Sequence, residues 1–289
     1  MSAILSLILF SGLIGSPIAL DDVPADPPAA NAPAKVEEQA PQDEAAPAHS
    51  AEVDELLTKL ETAASELRDF TAKVRYDKWD PVTSRWEIRA GQLIYQVKPD
   101  KTKRFAMLFD TLITGTTRSD RQTHYIYDAG WLAEVDHERK QFIKRQIVAP
   151  GKEFDPFRLG EGPFPLPVGQ QRDEVLKHFD VTIIDAPEDK QLEGLENVRG
   201  LRLIPRPGTR EAKHFERVDV FYDNVTLLPV GISLIETDPA PDDKFDARVQ
   251  KIVRLRDVKR NEGVDEAKLN IEEPDAREWL INIEPWGAQ

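Results

Sequence analysis

Residues 53–100 read VDELLTKLETAASELRDFTAKVRYDKWDPVTSRWEIRAGQLIYQVKPD, and the period of their apolar residues changes within the stretch. As far as Leu67 the apolar residues recur three and four positions apart, which predicts an amphipathic helix. From Phe70 onward they alternate with polar residues, which predicts strands with one buried face. A helix that precedes a long antiparallel meander must bury that face. We therefore expect a sheet that curls without closing, with the helix over its concave side.

The local signals around these elements place their ends. Ser50 is a good helix N-cap, and acidic residues follow it in the first turn. Asp80 and Pro81 mark a turn between the first two strands. Gly91 interrupts the alternation of the second strand, which predicts a β-bulge that bends the sheet. The alternating pattern continues to residue 148.

The second half of the chain repeats the strand pattern after a break. Residues 149–168 are rich in proline and glycine and show no period, and loops of this length usually have a function. Strand patterns resume between residues 179 and 255. Since the sheet pattern spans the break, we expect one domain over residues 51–289 rather than two.

Composition excludes several classes of function. The chain has 289 residues, a net charge of -14 and no cysteine. An acidic surface does not neutralise phosphates, so nucleic acid is excluded as a partner, and anionic membrane surfaces are disfavoured. Without cysteine there is no disulfide, thiolate metal site, cysteine nucleophile or lipid-modified N-terminal cysteine.

The N-terminal 50 residues predict targeting rather than folded structure. Residues 1–20 are uncharged and apolar over a length typical of a secretory signal, and a retained N-terminal membrane anchor is the alternative. Residues 21–50 consist mostly of Ala, Pro, Asp and Glu, so we expect a disordered, extended tether. The chain is therefore predicted to be exported to the periplasm and to be soluble there after cleavage.

No pattern in the sequence indicates catalysis. The five histidines are scattered, and no pair has the spacing that places two metal ligands on one face of an element. Neither a nucleophile elbow nor a phosphate-binding glycine loop is present. We predict no catalytic residue, no metal and no cofactor. A hydrolase that uses cleft carboxylates is a weak alternative, since spacing signals no acid/base pair.

The strands carry more large apolar side chains than one short helix can cover. They can form an ordinary core, or they can line a cavity for an apolar ligand. On the second interpretation we predict a lipid-binding face. Its residues are Trp86, Ile88, Leu93, Tyr95, Val97, Phe105, Met107, Tyr125 and Tyr127.

Four segments resemble the LolA-like periplasmic carriers of outer-membrane lipoproteins. LLTKLETAASELRDFTAK (56–73) is similar to the family's opening helix and first strand, and GQLIYQVKPD (91–100) to its glycine-initiated strand. SDRQTHYIYD (119–128) resembles its S-D-G-x-x-x-[WY]-x-Y strand, with Arg121 in place of the glycine. GVDEAKLNIEEP (263–274) is similar to its closing segment. These segments occur in the family's order, and the resemblance covers about residues 51–275.

The resemblance implies a half-open antiparallel β-barrel, a curved sheet that helices cover on the concave side. Acyl chains would bind inside, with Leu56, Leu60, Phe157 and Phe164 on the lid elements. The implied function is that of a monomeric periplasmic carrier or chaperone in lipoprotein transport. Its cargo would be lipoprotein or lipid acyl chains, received from an inner-membrane donor complex and delivered to an outer-membrane acceptor. The alternative is a lipid-sensing or scaffold domain on the same fold, which acts through a protein partner.

Overall fold

The computed structural model describes residues 50–152, 155–159, 164–239 and 246–287. The predicted segment 1–20 and all but the last residue of 21–50 lie outside these ranges. The α-helices are α1 (Ala51–Ser65) and α2 (Arg172–His178). The strands are β1 (Asp69–Asp80), β2 (Arg85–Val97), β3 (Lys103–Thr114), β4 (Thr117–Asp128), β5 (Trp131–Asp136), β6 (Gln141–Gln146), β7 (Phe179–Ile184), β8 (Val198–Pro205), β9 (Phe215–Asp223), β10 (Pro229–Glu236), β11 (Gln250–Arg260) and β12 (Leu280–Glu284).

The 12 strands form one sheet in the order β12-β6-β5-β4-β3-β2-β1-β11-β10-β9-β8-β7. β12 runs parallel to β6, and the other neighbours are antiparallel. The end strands β12 and β7 do not pair with each other in the described part of the chain, so the sheet stays open. The predicted half-open antiparallel architecture is confirmed, apart from the parallel edge strand.

The sheet curls around its apolar face. In a flat sheet β1 and β4 would be about 14 Å apart, because neighbouring strands are spaced by about 4.8 Å. Yet the ring centroid of Phe164 lies 5.8 Å from that of Tyr76 on β1 and 5.3 Å from that of Tyr125 on β4. The inward side chains of these strands therefore converge. One continuous core joins α1, α2 and strands from β4 across to β7.

Helix α1 covers the concave side as the sequence predicts. The Ser50 hydroxyl accepts a hydrogen bond from the backbone N–H of Val53 and caps the helix. Val53, Leu56, Leu57 and Leu60 form its buried stripe. At the other end of the helix, the guanidinium of Arg260 on β11 donates to the carbonyl of Ala63 at 2.6 Å.

Two short segments cover the convex side of the sheet. The 3₁₀ turn Glu266–Leu269 places Leu269 against Ile94 and Ala106. The 3₁₀ turn Lys190–Leu192 places Leu192 against Phe221 and Ile252. Both faces of the sheet are thus buried over part of their area, and the concave face carries the larger core.

Candidate ligand-binding face

Seven of the nine residues predicted to bind lipid share the concave face. Tyr95 lies opposite Phe105 on β3, and Phe105 lies opposite Tyr127 on β4, so their side chains point to one side. The seven residues are Leu93, Tyr95, Val97, Phe105, Met107, Tyr125 and Tyr127. All are in the concave core or packed against it.

Trp86 and Ile88 do not share that face, and their predicted placement beside Tyr95 is wrong. β2 pairs with β1 without any register shift, so its residues alternate strictly between the two faces. Trp86 lies opposite Trp79, with ring centroids 5.5 Å apart, and packs against the convex cluster. Ile88 lies opposite Asp77 on the same convex face. We therefore remove both residues from the candidate site.

Gly91 explains the error, because it is a site of close approach rather than a bulge in β2. A Cβ at this position would lie 1.9 Å from the carbonyl oxygen of Leu108, so only glycine fits against β3. The irregularity is on β3 instead. There the partner of β2 changes from Phe109 to Thr111, which leaves Asp110 between them.

A strap formed by residues 155–159 and 164–170 fills the concave side. Phe157 is 1% exposed. Its ring packs edge-on against those of Tyr95 and Phe105, with ring centroids 5.0 and 5.2 Å apart. Besides Tyr76 and Tyr125, the ring of Phe164 packs against those of Phe105 and Phe109, with ring centroids 6.3 and 6.1 Å apart. Leu159, Leu166 and Val168 of the strap are also buried. The two predicted lid phenylalanines thus occupy the interior itself.

Among the described residues, ion pairs join the strap to β3 and to α2. Lys103 on β3 forms an ion pair with Asp155, whose other carboxylate oxygen accepts from the N–H of Phe157 at 3.0 Å. Within the strap, the Gln170 amide donates to the Phe157 carbonyl at 2.9 Å. Arg158 pairs with Glu174 of α2 at 2.6 Å. These contacts lie at the rim, and the interior contacts that they accompany are apolar.

A polar group stands at one end of the aromatic interior. The Arg89 guanidinium donates to the Tyr125 hydroxyl at 3.2 Å, and this hydroxyl donates to Glu134 at 3.2 Å. Burial raises the pKa of Tyr125 to about 12, so its hydroxyl remains protonated at neutral pH. Burial alone would lower the pKa of Arg89, but Tyr125 and Glu87 outweigh it and raise that pKa.

The open space left on the concave side is a cavity of about 30 Å³ between α1, the strap and the second half of the sheet. Leu60 lines it, and Leu56 lies in the adjoining core. Sites for drug-sized ligands measure about 300–1,000 Å³. An acyl chain can therefore enter only if the strap or α1 moves.

The sequence interpretation missed the other wall of this cavity, which includes Leu201 and Leu203 on β8 and Tyr222 on β9. Val218, Val220 and Tyr222 alternate with outward residues, so the signal for a buried strand face is present. The sequence does not show that this face meets α1.

Neither a metal site nor a membrane-spanning helix is found in the described residues. No three His, Asp or Glu side chains come close enough together there to hold an ion. Neither described helix has the length and apolarity needed to cross a membrane.

Comparison with known proteins finds likeness of fold only. No family model and no curated protein matches the sequence. The structure of MucB with MucA from Pseudomonas aeruginosa matches at 11% identity and a TM-score of 0.43, over 77% of this chain and 62% of that one. The chain thus spans less than two thirds of the MucB structure. An uncharacterized conserved protein from Thermus thermophilus matches at 10% identity and a TM-score of 0.40, over 81% and 99%.

A LolA superfamily protein from Nitrosomonas europaea also matches, at 8% identity and a TM-score of 0.30, over 76% of this chain and 97% of that one. What the protein binds has to be argued from its own site.

Proposed function

We propose that the domain is a carrier that binds the acyl chains of lipids or lipoproteins on its concave face. The observation that carries this proposal is that a strap, rather than side chains of the sheet, fills the aromatic interior. With the strap displaced, Tyr95, Phe105, Phe109 and Tyr125 would present a continuous apolar wall. An exposed apolar surface of this kind is characteristic of a ligand-binding groove.

The energy scale supports exchange of the strap for cargo. Removing about ten methylenes from water contributes about 8 kcal/mol, at ~0.8 kcal/mol for each CH₂. The strap contributes two phenylalanines and three aliphatic side chains to the same interior. An acyl chain would replace contacts of similar kind, so loading and release need no large net change in free energy. A binding role of this kind requires no catalytic group.

We further propose that residues 1–20 direct export and that residues 21–50 form a tether ahead of the binding domain 51–289. The carrier would then work in the periplasm, between an inner-membrane donor and an outer-membrane acceptor. The apolar leader and the acidic, proline-rich segment support this assignment.

A disulfide between α1 and the strap tests whether ligand entry needs the two to separate. A Cβ on Gly169 would lie 3.5 Å from the Cβ of Ala64, within the usual range of about 3.5–4.5 Å for a disulfide. The chain has no native cysteine, so Ala64→Cys with Gly169→Cys creates a single pair. Gly169 has φ +75°, so a cysteine there is strained by about 1–2 kcal/mol in both redox forms.

We expect the oxidised variant to take up a fluorescent fatty acid at least about tenfold more slowly than the same protein after reduction. The reduced form is the matched control, and Ala64→Cys alone controls for effects of the oxidant. Native mass spectrometry of the wild-type protein, with extraction of bound material, identifies the cargo. Equal uptake by both redox forms would contradict entry between α1 and the strap. A protein that takes up no probe in either form would favour the partner-binding scaffold instead.

A further inference from the structure

All five tyrosines of the chain lie on the concave face or pack against its core. They are Tyr76, Tyr95, Tyr125, Tyr127 and Tyr222. A tyrosine combines a large apolar ring with one hydroxyl that normally finds a hydrogen-bond partner when buried. Tyr222 is the member of this set that lines the cavity between α1, the strap and β9.

The hydroxyl of Tyr222 has no hydrogen-bond partner among the described residues, although the side chain is only 6% exposed. Tyr125 differs, since its hydroxyl is bonded to both Arg89 and Glu134. The other polar side chains in the cavity lining are also engaged. Gln170 donates to the Phe157 carbonyl, and the Thr226 hydroxyl donates to Asp223. Tyr222 thus brings an unpaired hydroxyl to an otherwise apolar wall.

The chemistry of the wall limits what can pair with this hydroxyl. The lining of the cavity consists of aliphatic residues, proline, glycine, Gln170, Thr226 and Tyr222, with no charged side chain among its described members. The cation Arg260 borders this wall, and its guanidinium donates to the carbonyls of Thr226 and Ala63. A neutral ester or amide carbonyl would accept one hydrogen bond and leave its acyl chain against the apolar residues.

We propose that Tyr222 selects cargo by donating a hydrogen bond to a neutral carbonyl, that of an acyl ester or amide. This inference rests on the proposed function, because it requires an acyl ligand on the concave side. Tyr222 is then a specificity-determining residue, and the ligand class is an acyl chain that carries a carbonyl group, as in an ester or amide, rather than a hydrocarbon.

The proposal predicts that one substitution changes binding without lowering stability. The Tyr222 hydroxyl makes no hydrogen bond to the described residues that phenylalanine would lose, and phenylalanine keeps the shape of the ring. Tyr222→Phe should therefore keep or raise the melting temperature of the free protein. The same change should weaken binding of a ligand that carries the carbonyl.

The test measures the affinity of two pyrene-labelled decyl probes, one ending in a methyl ester and the other in a methyl group. We expect the wild-type protein to bind the ester about tenfold more tightly, equivalent to about 1.4 kcal/mol. In Tyr222→Phe we expect the ester affinity to fall to that of the hydrocarbon probe, whose own affinity is unchanged. Tyr125→Phe is the matched variant for stability and should lower the melting temperature, because its hydroxyl is already paired.

Three results would overturn the inference in distinguishable ways. If Tyr222→Phe binds both probes as the wild type does, the hydroxyl plays no part in selection and the carrier proposal stands. If Tyr222→Phe loses as much stability as Tyr125→Phe, the hydroxyl is paired in the free protein. If neither probe binds the wild-type protein, the inference fails together with the proposed function.

Discussion

Replacing Phe164 of the strap by alanine should tighten ligand binding while it destabilises the protein. Phe164 packs edge-on against Tyr76, Phe105, Phe109 and Tyr125. Removing a buried phenylalanine costs about 3–5 kcal/mol. Because a ligand must displace these same contacts, the substitution destabilises mainly the closed state of the strap.

The population-shift relation converts this energy into an affinity. If the closed state loses about 3 kcal/mol relative to the open one, an apolar ligand gains up to about 10²-fold in apparent affinity. The gain ends once the open state predominates. The assay is equilibrium titration with a fluorescent fatty acid, together with urea unfolding of the free protein.

The matched control is Phe221→Ala. Phe221 is 1% exposed on the convex face, where it packs with Leu192 and Ile252. This variant should lose comparable stability and gain no affinity. A Phe164→Ala protein that binds the ligand more weakly than the wild type would refute the reasoning, since Phe164 would then belong to the wall that holds the ligand.

Two further predictions concern two glycines of the sheet and the half-buried His124 on β4. Gly91→Ala should abolish folding or cost several kcal/mol in urea unfolding, because its Cβ would meet the Leu108 backbone. Gly231→Ala should cost clearly less, since its Cβ would meet the ends of two side chains, Leu195 at 2.5 Å and Leu192 at 3.3 Å, rather than backbone. Equal losses would contradict this account. The second prediction concerns pH. Burial, and then the neighbouring His137, lower the pKa of His124 below the ordinary histidine pKa of about 6.5. The free energy of unfolding should therefore decrease as the pH falls below about 6.5. The unfolded chain binds the proton first, so acid favours unfolding. His124→Gln should flatten the change in urea midpoint between about pH 7.5 and 5.5, and an unchanged slope would count against the effect.

Local patterns in the sequence predict most of the architecture. Helix α1 begins after its Ser50 cap as expected, and the alternation from Phe70 onward identifies the inward residues of β1. These features succeed because the signals lie within one element. The resemblance also predicts that Phe157 and Phe164 belong to a lid.

The errors and omissions have non-local causes. Trp86 and Ile88 were placed on the wrong face because the reason for Gly91 is the backbone of β3, which no pattern within β2 reveals. Phe157 fills the interior because residues 155–159 and 164–170 lie over the sheet, and a segment without a period carries no signal for this. Tyr222 was missed because its meeting with α1 depends on long-range pairing.

The pairing of β1 with β11 has a consequence for how the chain folds. The first strand forms only one of its two ladders with its successor β2, and the other joins Phe70 to Arg260 near the end of the chain. Ladders between such distant segments close slowly, because loop entropy is lost before the contacts form. The sheet therefore stays incomplete until β11 has been synthesised. Until β11 emerges, β1 keeps one edge without a partner strand.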